Sequence, residues 1–262
     1  MAVSTAGKVA ELLLAFETGP AGGPADRSVS ELSRRVGRER SQVSRMLKAL
    51  SAERVVEQDP ETRRYRLGWR VRVMAAGAGD QVLVNAARPI LQALVARTAE
   101  VALLSVQEGN RCLTVLREES QNSLRGGGWV GRRSAMHCTA SGRALLFDAE
   151  DDLVDALTSD DFNSGPQVGS SCPSDVAELL ERLRVERRRG YALASEEIEV
   201  GLTSVSVPVR NNQGHIIAVL NVSGPTSRMT RPQIDNAARL LMLGSAGVTK
   251  TLTSRPWSHV DV

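Results

Sequence analysis

The chain has 262 residues, room for two ordinary domains, and its 42% hydrophobic and 24% charged residues exclude a largely disordered polymer. Aromatics at 3% exclude a stacking platform for single-stranded nucleic acid. The net charge of +3 is small but uneven: Arg34, Arg35, Arg38, Arg40, Arg45 and Lys48 stand against Glu39 alone, a local field suited to a polyanion such as duplex DNA.

No charged start followed by an apolar stretch marks an export signal, and no run of about 18 apolar residues marks a membrane span. The expected location is the cytoplasm. The cysteines Cys112, Cys138 and Cys172 are odd in number and widely spaced, and His137, His215 and His259 add no obvious ligand cluster. Free thiols in a reducing compartment, with no metal and no cofactor, are therefore expected.

In chain order, Val9, Leu12, Leu13 and Phe16 have helical spacing, and Gly19–Pro24 breaks the helix. Ser28-Val29-Ser30-Glu31 reads as a capping box opening a second helix with Val29, Leu32 and Val36 inward, stopped by Gly37. A third helix follows at once: Val43, Met46, Leu47 and Leu50 form one face, and Arg40, Ser41, Gln42, Ser44, Arg45 and Lys48 form the other. Two short helices around a tight glycine turn, the second presenting polar and basic side chains, predict a helix-turn-helix. Val55–Gln58 and Arg64–Leu67 then predict a hairpin around Asp59-Pro60-Glu61-Thr62, with Arg63 and Arg64 beside its tip: a wing.

A short connector helix spans Trp69 to Gly79, and a longer one Val82 to Arg97 with Ala86, Ile90, Leu94 and Val95 inward. Beyond it the texture is mixed α/β. Val101–Gln107 and Cys112–Leu116 read as strands, Ser120–Arg133 as a glycine-rich loop, and Thr139–Phe147 and Asp151–Leu157 as helices. A charged helix follows Pro173-Ser174-Asp175 and ends at Arg189, with Val176, Leu179, Leu180 and Leu183 inward. Thr203–Arg210 and Ile216–Ser223 form a hairpin around Asn211-Asn212-Gln213-Gly214, and Arg231 to about Thr253 is the last helix.

Three stretches together resemble the IclR family of transcriptional regulators. They are the N-terminal block through Asp59–Gly68, the segment Met136–Leu146, and the run from Arg189-Gly190-Tyr191 through Glu196-Glu197, Gly201 and Val207-Pro208-Val209 to Val222–Pro225. Their order and spacing match over nearly the whole chain. The resemblance implies an α+β protein: an N-terminal winged helix-turn-helix (1–68), a linker helix (69–80), a GAF-like α/β effector-binding domain with an antiparallel sheet flanked by helices (81–254), and a tail (255–262). It also implies a homodimer or homotetramer on a pseudo-palindromic operator, and favours repression over activation.

Base edges are assigned to Gln42, Ser44 and Arg45, and DNA backbone to Arg38, Arg40, Ser41 and Lys48, with Arg63 and Arg64 at the wing. Alignment to the family's ligand positions picks Ala140, Ser141, Ala194, Ser204, Asn221 and Ser223 for a small organic acid or aromatic metabolite. Small residues make room there, and hydroxyls and the amide donate to a carboxylate or carbonyl. Ser141 also begins a helix, whose amides favour an anion. The chain departs from the family at Ala194-Ser195, where an acidic residue is usual, at Asn221, often serine, and at Arg143, usually lysine and expected to be structural.

Rival readings are an enzyme carrying a regulatory winged helix and a regulator that answers to a protein partner. The first lacks a converging acid, base or metal set. His137-Cys138 is no nucleophile pair, since adjacent residues point apart, and reads as a packed histidine and a buried thiol. Ser141 lacks the GxSxG elbow of a hydrolase.

Overall fold

The computed structural model describes residues 4–16, 26–76, 81–119, 130–164 and 171–253. The break at Gly19–Pro24, the connector end at Gly77–Asp80, Ser120–Trp129 of the expected loop and the tail 255–262 lie outside them. The chain divides into two units between Gln81 and Val82.

In the first unit, α1 (Thr5–Leu14) is capped by the Ser4 hydroxyl and buries Leu12. The expected capping box opens α2 (Val29–Val36): Ser28 Oγ accepts the Glu31 amide at 3.2 Å, and Glu31 accepts the Ser28 amide at 2.6 Å. Gly37, at φ 62°, turns the chain out of α2. Helix α3 (Arg40–Ala52) packs Val43 and Leu47 with Leu12, Phe16 and Leu32 into one core. Strands β1 (Val56–Gln58) and β2 (Tyr65–Leu67) pair antiparallel, and Asp59 Oδ1 holds their turn by accepting the Glu61 and Thr62 amides at 2.9 and 2.7 Å. Helix α4 (Trp69–Ala76) follows, with Trp69, Val73 and Met74 exposed.

Among the described residues, the second unit holds a six-stranded antiparallel sheet in the order β5-β4-β3-β8-β7-β6. Its strands are β3 (Val101–Glu108), β4 (Arg111–Glu118), β5 (Arg133–Ala135), β6 (Ala192–Ser195), β7 (Leu202–Arg210) and β8 (Ile216–Pro225). Helices α5 (Gln81–Thr98) and α9 (Arg231–Thr253) share a core with Val205, Val207, Val209, Ala218, Leu220 and Val222. Helices α6 (Ala140–Leu145), α7 (Asp151–Ser164) and α8 (Val176–Arg189) share a second, smaller core with Ala192, Ala194 and Val219.

The period of two along a strand explains this division. On β7 and β8, Val205, Val207, Val209, Leu220 and Val222 face α5 and α9, and the alternate residues Ser204, Ser206, Val219, Asn221 and Ser223 take the opposite face. A bulge between Leu104 and Ser105 shifts the β3–β4 register, so Leu116 joins the large core while Thr114 pairs with Ser105.

Three expectations change. Strands β5 and β6 were not foreseen, because both are short edge strands rich in Ser and Ala, which carry little β signal. Helix α7 runs to Ser164 rather than Leu157. Helix α5 buries Leu83, Ala87 and Leu91 with Ala86 and Leu94, leaving Ile90 and Val95 half-buried, because apolar residues surround most of its circumference. Among the described residues no helix is long and apolar enough to cross a membrane.

Candidate DNA-binding surface and ligand cavity

Helix α3 exposes Arg40, Ser41, Arg45 and Lys48, with Gln42 and Ser44 half-buried beside them. Packing of Val43 and Leu47 fixes which face looks outward. Ser44, Lys48 and the wing's Arg63 line one open groove. Arg63 sits at φ 57°, a left-handed conformation at the hairpin tip that leaves its side chain exposed.

Arg38 and Arg64 are not free cations. Arg38 reaches Glu11 of α1 at 2.6 Å and keeps only 17% of its side chain exposed. Arg64 donates to Glu31 at 2.8 Å and to the Asp26 carbonyl at 3.0 Å. The Ser28 amide, and then Arg64, hold the Glu31 carboxyl down at about 2. Both arginines tie elements of the unit together. Sequence spacing could not reveal that, because Glu11 lies 27 positions from Arg38 and Glu31 lies 33 from Arg64.

In the second unit Ala140, Ser141, Ala194, Ser204, Asn221 and Ser223 all line one cavity of about 40 Å³ on the polar face of the sheet. Leu103, Ser105, Cys112, Thr114, Ser134, Thr139, Glu197, Ile198 and Leu202 complete it, and the sequence had singled out none of these for the ligand. The strand alternation places Ser105 and Thr114 there, a signal readable only once the bulge is known. Its hydroxyls bond one another: Ser204 to Ser223 at 2.6 Å, Ser141 to Ser206 at 3.1 Å and Ser105 to Thr114 at 3.2 Å.

Asn221 Nδ2 donates to Ser206 Oγ at 2.8 Å, whereas Asn221 Oδ1 is buried with no hydrogen-bond partner. One of the two Nδ2 hydrogens is thus engaged, and Oδ1 adds an unpaired acceptor to the donor role expected of this amide. The helix-start reading of Ser141 also weakens. Helix α6 has six residues, and the Thr139 hydroxyl already accepts the Gly142 amide at 2.8 Å. A second chamber of about 250 Å³ shares Ser134, Thr139 and Ile198 with the first and is bordered by Arg111, Arg132, Arg133, His137 and Asp161.

Beneath the cavity Arg143 is fully buried. It donates to Glu186 at 3.0 and 3.3 Å, to both oxygens of Glu197, and to the carbonyls of His137 and Leu193 at 2.8 and 2.7 Å. This joins α6, α8 and the segment after β6 in one charge network, so Arg143 is structural, as expected. Burial pushes the Glu197 carboxyl above its ordinary range, against the pull of Arg143 and Arg182. Burial likewise drives the Cys112 thiol up to about 12, which leaves it inert as a nucleophile.

The expectation of three scattered free thiols is corrected. Cys138 and Cys172, 34 positions apart, are joined in a disulfide with Cα atoms 5.2 Å apart, and only Cys112 is free. The fold, not the spacing, brings the start of α6 and the lead into α8 together.

A profile described as "Bacterial transcriptional regulator IclR C-terminal" matches residues 77–246, and one described as "IclR helix-turn-helix domain" matches residues 5–60. The chain belongs to the IclR family. Among relatives, this IclR-family chain is 32% identical over 228 residues to the HTH-type transcriptional regulator BhcR of Paracoccus denitrificans (strain Pd 1222), covering 84% of this chain and 81% of BhcR. It is 27% identical over 216 residues to the HTH-type transcriptional repressor AllR of Escherichia coli (strain K12), covering 82% and 79%. Its fold is that of an IclR homolog from Microbacterium hydrocarbonoxydans solved in complex with 4-hydroxybenzoate: TM-score 0.81, 24% identity, 96% of this chain and all of that one. IclR-family proteins are transcriptional regulators and not enzymes, and this one is a regulator with a helix-turn-helix DNA-binding domain and an IclR-type C-terminal domain.

Proposed function

We propose that this IclR-family regulator represses transcription by binding a pseudo-palindromic operator as a homodimer or homotetramer, and that a small hydroxylated organic acid in the C-terminal cavity changes its DNA affinity. One observation carries the ligand reading: six residues chosen from sequence line a single cavity, and one of them, Asn221, holds a buried Oδ1 acceptor without a partner. A buried acceptor without a donor costs about 1–3 kcal/mol, which a ligand hydroxyl recovers. The inner cavity, about 40 Å³, has room for about three waters. It suits a hydroxyl-bearing end, with the carboxylate in the adjoining chamber near Arg111 and Arg133. A ligand of this chemistry, 4-hydroxybenzoate, is held by the Microbacterium homologue.

On the DNA side, Gln42, Ser44 and Arg45 read base edges, and Arg40, Ser41, Lys48 and Arg63 hold phosphates. Arg38 and Arg64 brace the domain. Residues 1–68 form the DNA-reading part, 69–80 the linker, 81–254 the sensor and 255–262 a tail, working in the cytoplasm. The exposed Trp69, Val73 and Met74 on α4 favour burial against a second copy. Repressors among the relatives, such as AllR, favour repression.

The test is a thermal-shift panel of aliphatic and aromatic hydroxy acids and their deoxy analogues, with operator binding measured alongside. A hydroxy acid should raise the melting temperature and change operator affinity 5- to 150-fold, the range of coupling energies of about 1–3 kcal/mol. Asn221→Leu should abolish both effects. If no acid moves either quantity, or deoxy analogues act equally well, the ligand reading is wrong.

A further inference from the structure

The disulfide has a third neighbour. His137 is chain-adjacent to Cys138, and the ligand-capable atoms of His137, Cys138 and Cys172 all lie within 4.8 Å of one another. The His137 side chain is 10% exposed, and its Nδ1 is buried with no hydrogen-bond partner. A buried, unpaired ring nitrogen is costly unless something bonds to it. Asp161 Oδ2 stands 3.7 Å from Nδ1, too far for a hydrogen bond, so it leaves that nitrogen unsatisfied. Asp161 is itself anchored by Arg111 at 2.6 Å.

We propose that His137, Cys138 and Cys172, with the cysteines in the dithiol state, form a three-ligand binding site for a soft divalent cation of the zinc class, its fourth position facing the 250 Å³ chamber lined by His137, Cys138 and Asp161. Two thiolates and one imidazole match the softness of zinc, and three protein ligands with an open position are the pattern of a site that also binds water or a ligand. Tetrahedral zinc with Zn–S bonds of about 2.3 Å separates its ligand atoms by roughly 3.8 Å. The sulfurs must therefore part and the ring close in, with the three atoms already clustered within 4.8 Å.

The chemistry balances. A small-molecule thiol reduces the disulfide, two RSH giving RS–SR and two Cys–SH. The cation then binds both sulfurs and releases two protons. An oxidant that accepts two electrons reverses this, forming the disulfide and expelling the cation. Because Cys138 adjoins Thr139, Ala140 and Ser141 of the inner cavity, the site and the disulfide are alternative staples between that wall and the lead into α8.

The experiment is anaerobic titration of the reduced full-length protein with Co²⁺, which reports thiolate ligation by a sulfur-to-metal charge-transfer band. The expected result is one Co²⁺ per chain with that band, displaced by Zn²⁺. Cys172→Ser should abolish the band, His137→Ala should weaken binding at least tenfold, and the exposed His215→Ala should change nothing. Diamide should release the metal as two titratable thiols disappear. Far-UV circular dichroism confirms folding of each variant, with the half-buried Cys172 as the safer cysteine to replace. A reduced wild-type protein without the band, or a folded Cys172→Ser or His137→Ala variant that binds as wild type, overturns the proposal.

Discussion

Replacing Arg143 with alanine leaves two carboxylates, Glu186 and Glu197, 1% and 3% exposed, without their central cation. Breaking a buried ion pair by removing one partner costs about 3–5 kcal/mol, because the remaining charge is stranded. Some support survives. Arg189 and the Leu193 amide still reach Glu186 at 3.1 and 3.0 Å, and Arg182 still reaches Glu197 at 3.0 Å. The lower end, about 3 kcal/mol, is therefore expected. For a domain of this size that is a fall of about 6–12 °C in melting temperature. Differential scanning calorimetry of the full chain should show the loss in one transition. The deficit should shrink as the pH falls from 7 towards 5. Burial already raises the Glu197 carboxyl, and without the opposing pull of Arg143 it binds a proton more readily folded than unfolded, so the variant's stability falls as pH rises through its folded pKa. Arg143→Lys keeps the charge but not the fork of donors and should recover only part of the loss. A melting change under about 3 °C for Arg143→Ala, equivalent to about 1 kcal/mol, would refute the reasoning that this network holds α6 to α8.

Lys48→Ala should weaken binding to all duplex DNA alike and flatten the salt dependence by about one unit, whereas Gln42→Ala should erase discrimination of about 1–3 kcal/mol at a single base pair; fluorescence anisotropy on operator and random DNA separates them. Gly142→Ala should destabilise the sensor domain by about 1–3 kcal/mol in a chemical melt, since a Cβ there would lie 2.5 Å from Met136 Cα and O, which are backbone and cannot yield. Glu31, its carboxyl held at about 2 by the Ser28 amide and Arg64, contributes stability above the unfolded-state pKa near 4.5 that is lost as pH falls towards 2. Glu31→Gln should flatten acid unfolding in that window, modestly because the side chain is 35% exposed.

The N-terminal unit was largely legible because its signals are local. Ser28 and Glu31 form their reciprocal cap within one turn, Gly37 supplies the left-handed stop, and the Val43–Leu50 spacing orients α3. The ligand wall was legible only through family resemblance: Ser141, Ala194 and Asn221 are far apart in sequence, and only the sheet order places β6, β7 and β8 beside α6. Tertiary structure alone decided the rest. It tied Arg38 to Glu11 and Arg64 to Glu31, left Asn221 Oδ1 without a partner, buried Glu186 and Glu197 around Arg143, and joined Cys138 to Cys172. The physical reason is common to all four. A helix cap or an apolar stripe is set within a few residues, whereas the partner of a charge, a thiol or a buried amide is set by whichever distant segment packs against it.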